Sequence, residues 1–459
     1  MKKVYLIYPS QNMADYRVNP AWEYKFERKP SLGLLYLAAS LEKHGIDSEV
    51  LDQSVDPFSF QEVAEKVRNN SPLLVGIYTD RLLKSNVLSL IRVIKEFAPE
   101  IKIAVGGPGS IECHDFHSVG CDIVCFGEGE ITICDIVDYC LGKKRLPEIK
   151  GISFLDNGEV IKNQPRDLIQ DLDKIPFPSR DKIKLNEYYD YHIFGMKKPY
   201  TTVITSRGCP FRCSFCVSHE IWRKKYRLRT PVNVVEEIDE LVNKYKVRYI
   251  GFKDDIFGFN TNWVYAFVEE MKKRKLKVSF SCMLHPFSFK GKRREMLTLL
   301  KGIGLDIIIP GLQSTDEKVL TAINRHPEEP HYLEEMIREA KKLSISTVVE
   351  FIFGLPGDSP QVFRKNFNYA IKVKPHYVLF YSLSKLPGSE ITREYGDRNV
   401  TGLPEDYIKD QARKCQKSFY LHPAIIFQNS LHILAKNPGW YLHAARHLSY
   451  VLRAAAIVK

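Results

Sequence analysis

No apolar run in the chain approaches the roughly 20 residues that a spanning helix needs, so a transmembrane segment is not expected. The first residues, Met1 to Leu6, pass straight into a strand-like run, without the apolar stretch and small-residue cleavage site of a signal peptide. With no export signal, the ten cysteines are expected to stay reduced in a cytoplasm, which excludes a disulfide framework and leaves thiols free for metal. No G-x-G-x-x-G opens the first helix, so the dinucleotide fingerprint is missing. No second paired-cysteine knuckle follows the one dense cysteine cluster, which leaves a closed zinc centre short of ligands. What is present describes a globular protein, at 44% hydrophobic and 12% aromatic residues. Its 459 residues exceed one core and predict two or three domains. The net charge of +12 is dispersed; it permits an acidic partner without selecting one, and nucleic acid is not favoured.

Three cysteines stand at C-x-x-x-C-x-x-C spacing in Cys209-Pro210-Phe211-Arg212-Cys213-Ser214-Phe215-Cys216, just after the apolar run Tyr200 to Ile204. Three thiolates hold three irons of a four-iron cluster and leave the fourth iron open to a ligand that is not a side chain. The competing structural zinc site would have to recruit His219. Cys113, Cys121, Cys125, Cys134 and Cys140 lie in apolar contexts and read as small core residues.

Residues 1–145 alternate strand and helix patterns, beginning with a strand at Val4–Tyr8 and a helix from Leu32 to His44. The alternation predicts a doubly wound, Rossmann-like α/β domain, whose ligand lies beyond the carboxyl ends of its parallel strands. Those ends carry Pro9 and Ser10, Tyr78 and Thr79, Gly106-Gly107-Pro108-Gly109-Ser110, and Gly127-Glu128-Gly129-Glu130. Residues 146–198 read as a linker, with a hairpin at Asp156-Asn157-Gly158 and an irregular stretch before Pro176 and Pro178. Residues 199–395 alternate again, predicting a partial (β/α) TIM-like barrel with its chemistry at the strands' carboxyl ends. Asp254-Asp255, Gln313-Ser314, Phe351 and Gly354 are placed there. Residues 396–459 read as a helical tail, with helices at Tyr407–Tyr420, Ala424–Lys436 and Trp440–Val458.

The cysteine loop, with aromatic Phe215 just before its last cysteine, resembles the cluster loop of the radical S-adenosylmethionine (radical SAM) superfamily. The run Pro30 to Ala38 and the turns at Gly106-Gly107-Pro108 and Gly127-Glu128-Gly129-Glu130 resemble the cobalamin-binding domain fused ahead of many such proteins. The resemblance implies a four-iron four-sulfur cluster on Cys209, Cys213 and Cys216, with S-adenosylmethionine chelated to the open iron. Asp254 and Asp255 would meet its amine, Gln313 and Ser314 (where the family usually shows Glu-Ser) its ribose, and Phe351 and Gly354 its adenine. Cobalamin would take Pro9, Ser10, Tyr78, Thr79, Gly106, Gly107, Pro108, Ser110, Gly127, Glu128 and Gly129. The D-x-H-x-x-G motif that supplies a lower cobalt ligand in the better-known mutases is absent, and the only early histidine is His44, so cobalamin without a lower histidine is expected. The linker would hold the two cofactors face to face.

The activity implied is methylation of an unactivated carbon in a small molecule: a 5′-deoxyadenosyl radical takes the hydrogen and methylcobalamin supplies the methyl group. An external donor of flavodoxin or ferredoxin type would supply electrons. Three alternatives stand beside it: ring or carbon–carbon bond formation without methyl transfer, methylthiolation of transfer RNA, and a non-enzymatic cobalamin carrier. Phe419-Tyr420-Leu421-His422-Pro423 is similar to a stretch in relatives acting on lipids or chlorophyll-like pigments, a hint of a hydrophobic substrate. The basic, amphipathic tail is expected to cap the barrel; the alternative is that this cytoplasmic chain rests on a membrane surface through it.

Overall fold

The computed structural model describes residues 3–9, 28–111, 113–190 and 197–436. The chain divides between Tyr188 and Tyr189 into two compact units. In the first, strands β1 (Val4–Tyr8), β2 (Ser48–Asp52), β3 (Leu74–Tyr78), β4 (Ile103–Gly106) and β5 (Ile123–Cys125) run parallel in the order β2-β1-β3-β4-β5. Successive side chains point to opposite faces of a strand, so β1 sends Val4 and Leu6 into one core and Tyr5 and Ile7 into another. Helices Leu32–Lys43 and Gly129–Cys140 close the first core; Phe60–Asn70 and Lys84–Phe97 close the second. The expected doubly wound sheet is therefore formed. The chain leaves β1 towards one edge and returns through β3 towards the other, so the switch point lies between β1 and β3.

The segment read as a linker from 146 onwards belongs to this first unit. Strand β6 (Ile152–Asp156) pairs antiparallel with β5, and β7 (Glu159–Lys162) pairs with β6, extending the sheet to seven strands. Asn157 and Gly158 both take positive φ, as a tight two-residue hairpin requires. Beyond the hairpin the chain is fastened back. The Ile169 amide donates to Glu128, Ser179 donates to Glu42, Lys182 pairs with Asp47, and Tyr188 donates to Asp52. The hairpin was legible from its turn residues; its pairing with β5, a tertiary contact, was not.

In the second unit, β8 (Tyr200–Val203) is followed by two-residue strands β9 (Ser206–Arg207) and β10 (Arg227–Leu228), which pair antiparallel and frame the cysteine loop between them. Strands β11 (Tyr249–Phe252), β12 (Ser279–Leu284), β13 (Leu305–Gln313), β14 (Ser346–Phe353) and β15 (Tyr377–Ser382) join β8 in a six-stranded parallel sheet ordered β15-β14-β13-β12-β11-β8. This is the strand set of a partial barrel. The helix Pro360–Val373 between β14 and β15 was missing from the sequence reading. Its signal was present: Ser359 caps the Val362 amide, Pro360 takes the first turn, and Phe363, Asn366, Ala370 and Val373 bury one face.

The helix Glu405–Tyr420 lies along β15 and buries Ile408, Ala412 and Phe419 against Phe351, Phe353 and Phe380. It also satisfies the free edge of the sheet. Gln416 accepts from the Phe380 amide at 3.0 Å and donates to the Val378 carbonyl at 2.8 Å, while the Tyr420 hydroxyl meets both polar groups of Val378. A covered edge cannot template pairing with another chain. The described part of the tail thus covers the sheet's edge at β15; the helix expected at Trp440–Val458 lies outside the described residues. Replacing Gln416 by Met keeps the side chain's bulk but strips the Phe380 amide of its acceptor. The expected cost is roughly 1–3 kcal/mol, read as a lower denaturant midpoint for the second unit.

Candidate functional site

The carboxyl ends of the first sheet gather most of the residues singled out there. Tyr8 and Tyr78, flanking the switch point, stack at 5.4 Å between ring centroids. Gly107 and Pro108 are exposed beyond β4, and Gly127 is exposed beyond β5 with open space where a side chain would be. Such a rim suits a large flat ligand laid over backbone. Gly107 has a closer constraint as well: a Cβ there would lie 2.4 Å from the Thr79 carbonyl, so its bareness serves the chain's own loop. Two predicted side chains are already engaged. Ser110 donates to the carbonyls of Gly107 and Cys125, and Glu128 accepts from the Ile169 amide, so both brace the rim. Thr79 and Pro9 are buried, and Ser10 lies outside the described residues. His44 sits at the far end of its helix beside Asp138, away from the switch point. Tyr8 was overlooked because nothing in a strand's last residue marks it as half of a stacked pair.

The cysteine loop starts at Gly208, whose φ of +94° and approach to the Lys225 carbonyl leave no room for a Cβ. The loop is pinned by backbone bonds. The Ser214 amide donates to Ile323, the Ile391 amide donates to Ser214, and the Cys216 amide closes a turn on Cys213. Phe215 packs against the apolar cluster of Val319, Leu320, Ile323 and Leu355. On the other side Phe211 stacks on His285, with ring centroids 3.7 Å apart and planes 8° from parallel. Burial pushes the Cys209 thiol up to about 12 and Cys216 to about 11, so without metal both are protonated at neutral pH. Burial raises Cys213 too, but there Arg325 pulls the other way, with its guanidinium 3.9 Å from the sulfur. A cluster bound here would displace protons from all three sulfurs, and the buried cation favours the thiolate form of one. Among the described residues no three His, Cys, Asp or Glu side chains are close enough to share a single metal ion.

Arg325 is the residue that sequence reading missed. Buried, it pairs with Glu329 and donates to the Gly311 carbonyl at 2.8 Å as well as to Cys213. Burial works against its charge, and Glu329 and Cys213 together outweigh that, leaving it firmly protonated. His285 is kept neutral by burial first and by Arg325 second. Arg325 follows a short helix and His285 follows β12, with no motif around either; only their meeting at the loop marks them.

At the ends of the barrel strands the predicted residues fare differently. Asp254 is buried, and one of its oxygens accepts from the Thr205 amide, the Thr205 hydroxyl and the Ser206 hydroxyl at 2.6–2.9 Å. Its other oxygen, Oδ2, is buried without a partner among the described residues. Burial raises the carboxyl from 3.8 to about 6. Asp255 is exposed and accepts from Ser218, two residues past Cys216. Gln313 has φ +69°, in the left-handed region, at a break in the β13–β14 register, and its Oε1 is buried and unpartnered. Holding a non-glycine residue there costs about 1 kcal/mol or more, and its side-chain acceptor is left open. Ser314 is buried and caps the following turn through the Asp316 amide.

Phe351 does not face the barrel interior. It packs with Val349, Phe353, Phe380 and Ile408 beneath the helices, and its ring stacks on Phe380 at 5.2 Å. The strand's period of two turns Glu350 and Ile352 to the other side, and both are half-buried. Gly354 is buried in a left-handed turn held by Asp358, which accepts from the Gly354 and Leu355 amides, and it lies against Ile408.

Comparison with known proteins agrees with this geometry. The sequence model of the B12 binding domain matches residues 28–137, and that of the Radical SAM superfamily matches residues 203–370. An uncharacterized methyltransferase of Pyrococcus horikoshii is 26% identical over 423 residues, covering 87% of this chain and 90% of that protein. The anaerobic magnesium-protoporphyrin IX monomethyl ester cyclase of Cereibacter sphaeroides is 26% identical over 411 residues, covering 86% of this chain and 64% of the cyclase. Among solved structures, the radical S-adenosylmethionine methyltransferase TsrM of Kitasatospora setae, with cobalamin and a [4Fe-4S] cluster bound, shares the fold. Its TM-score is 0.69 at 18% identity, over 86% of this chain and 74% of that one. The two domains matched in this order, on this fold, place the chain among the cobalamin-dependent radical SAM enzymes.

Proposed function

We propose that the chain methylates an unactivated carbon of a small molecule, using a four-iron cluster, S-adenosylmethionine and cobalamin. The observation that carries this is the pinned loop presenting Cys209, Cys213 and Cys216, with a buried guanidinium on one sulfur. When bound, the cluster and cobalamin supply the electron for cleaving S-adenosylmethionine and the methyl group for transfer. The protein's own part is positioning. Gly208 and the Ser214 and Cys216 turns hold the thiols in place, and Arg325 offsets the negative charge that gathers on them. The unpartnered Asp254 Oδ2 and Gln313 Oε1 are the acceptors offered to the amine and the ribose hydroxyls of S-adenosylmethionine. In the first unit, the stacked Tyr8 and Tyr78 with the bare Gly107 and Gly127 rims form the seat for a corrin.

Methyltransferase names among the relatives support this reading, and so does the hopanoid C-3 methylase of Methylococcus capsulatus, 24% identical over 76% of this chain. The similarity to the ester cyclase favours a second reading, ring closure without methyl transfer. Substrate assays with methyl-labelled S-adenosylmethionine separate the two: label in the product carries the first reading and unlabelled cyclised product the second. The reductant is assigned to a flavodoxin- or ferredoxin-type protein, whose acidic surface suits a chain of net charge +12.

Anaerobically purified protein is expected to hold about four irons and four sulfides per chain, and cobalt besides. Ala at Cys209, Cys213 or Cys216 should strip the iron and abolish formation of 5′-deoxyadenosine while cobalt stays. Gly107→Val, which drives a side chain into the Thr79 carbonyl, should strip cobalt while iron stays. Loss of both metals together in either variant would contradict the assignment of two separate seats.

Asp254 has a pH signature. Its carboxyl is raised in the folded state, from 3.8 to about 6, so the folded chain holds that proton more tightly than the unfolded chain. The stability it contributes is therefore complete below about pH 4 and lost as pH rises through about 6, a change on the order of 3 kcal/mol. Asp254→Asn should lack this component, so denaturant midpoints of variant and parent should move in the variant's favour between pH 4 and 7. Added S-adenosylmethionine should raise the parent's midpoint at pH 7 and leave the variant's nearly unmoved.

A further inference from the structure

The last described helix, Pro423–Lys436, is turned inside out relative to an ordinary surface helix. Apart from Ile425, which enters the core beside Phe419, its inward face is polar. Gln428 accepts from Lys341 at 3.0 Å and donates to the Lys374 carbonyl, Asn429 donates to the His376 carbonyl at 2.8 Å, and His432 meets the Ser346 hydroxyl at 2.8 Å. Its outward face is apolar. Ile426, Phe427, Leu431 and Leu434 are 49%, 67%, 51% and 46% exposed, and Phe427, Leu431 and Leu434 follow the i, i+4, i+7 spacing of one stripe. Leu421, 55% exposed, continues it towards the preceding helix. A continuous apolar stripe presented to water marks an interaction surface.

Charge points to the occupant. The net charge, expected to be dispersed, is in fact concentrated here: from Gln411 to Lys459 the sequence has seven Lys and Arg residues and no Asp or Glu, more than half of the whole chain's +12. An apolar stripe set in a stretch of unbroken positive charge is complementary to an anionic lipid surface, where apolar side chains enter the headgroup boundary and cations meet the phosphates. A protein partner or a second copy of the chain would have to bring its own concentrated negative charge. Among the described residues no helix is long and apolar enough to cross a bilayer, which leaves lying on the surface as the mode. The groups that seat the helix, at Ser346 and His376, are at the amino ends of β14 and β15, opposite the strand ends that carry the candidate site. Contact through this face would leave the site's mouth uncovered.

We infer that the helix Pro423–Lys436 docks the enzyme on an anionic membrane surface through its Phe427–Leu431–Leu434 stripe. The test is co-sedimentation of the full-length, cofactor-loaded protein with vesicles of phosphatidylcholine alone and of phosphatidylcholine mixed with phosphatidylglycerol. Sedimentation with the phosphatidylglycerol vesicles only is expected, weakened several-fold at about 0.5 M salt. A Phe427→Ser, Leu431→Ser double variant should bind about tenfold more weakly or worse. Both side chains are more than half exposed, so circular dichroism and iron content should match the parent; Leu434→Ser alone should show a smaller loss in the same direction. Absence of binding to the phosphatidylglycerol vesicles, or equal binding by the double variant, would overturn the inference. So would self-association of the parent in solution that the double variant abolishes, since the stripe would then pair two copies.

Discussion

One buried guanidinium ties the second unit's chemistry to its frame. Arg325 reaches the Cys213 sulfur, the Gly311 carbonyl at the irregular end of β13, and Glu329 at the start of the helix Glu329–Lys342. An unpaired charge at such depth is not tolerated, and removing one member of a buried pair typically costs about 3–5 kcal/mol. The position of the cysteine loop is therefore not adjustable independently of the strand that presents Gln313. Glu329 also accepts from the His326 amide, which orders the turn leading into its own helix. Burial, with Arg325 second, leaves His285 neutral, so it serves as a flat surface under Phe211 and not as a second cation.

Around this knot the site shows the pattern of local frustration expected of function. Asp254 has one oxygen saturated with three donors and the other with none, and Gln313 sits in a left-handed conformation with an empty acceptor. Each is unfavourable as it stands, and a ligand carrying donors would relieve it. The first unit shows no comparable strain in its predicted side chains. Ser110 and Glu128 are fully occupied bracing the loops, and the open features are backbone and aromatic surface. That contrast fits the proposed seats: a small zwitterion would be held by directed polar contacts and a broad macrocycle by shape and area.

The tail shows how one stretch serves two ends by dividing its faces. The helix Glu405–Tyr420 spends its apolar face on the core of the barrel and its Gln416 and Tyr420 on the exposed edge of β15. The next helix docks by buried Ile425 and by amide and imidazole groups, and turns its apolar stripe outward. A hydrophobic pattern read from sequence is the same for both helices. It says that a face is apolar, not whether that face is turned to a core or to something outside the chain.

Local chemistry was determined by sequence alone wherever near neighbours decide it. The spacing of Cys209, Cys213 and Cys216 singled out a candidate ligand set, strand–helix alternation specified two parallel sheets, and Asn157-Gly158 specified a hairpin turn. The tertiary structure decided whatever depends on which way a side chain points or which distant strand it meets. It put Phe351 under the helices and Glu350 inside, because a strand's alternation has two phases and sequence does not say which one faces the axis. It joined the hairpin to β5, attributed the bareness of Gly107 to the Thr79 carbonyl, and brought Arg325 and His285 to the cysteine loop from positions with no motif. Those outcomes are set by packing between segments far apart in the chain, where burial and charge pairing are summed over contacts that no local pattern contains.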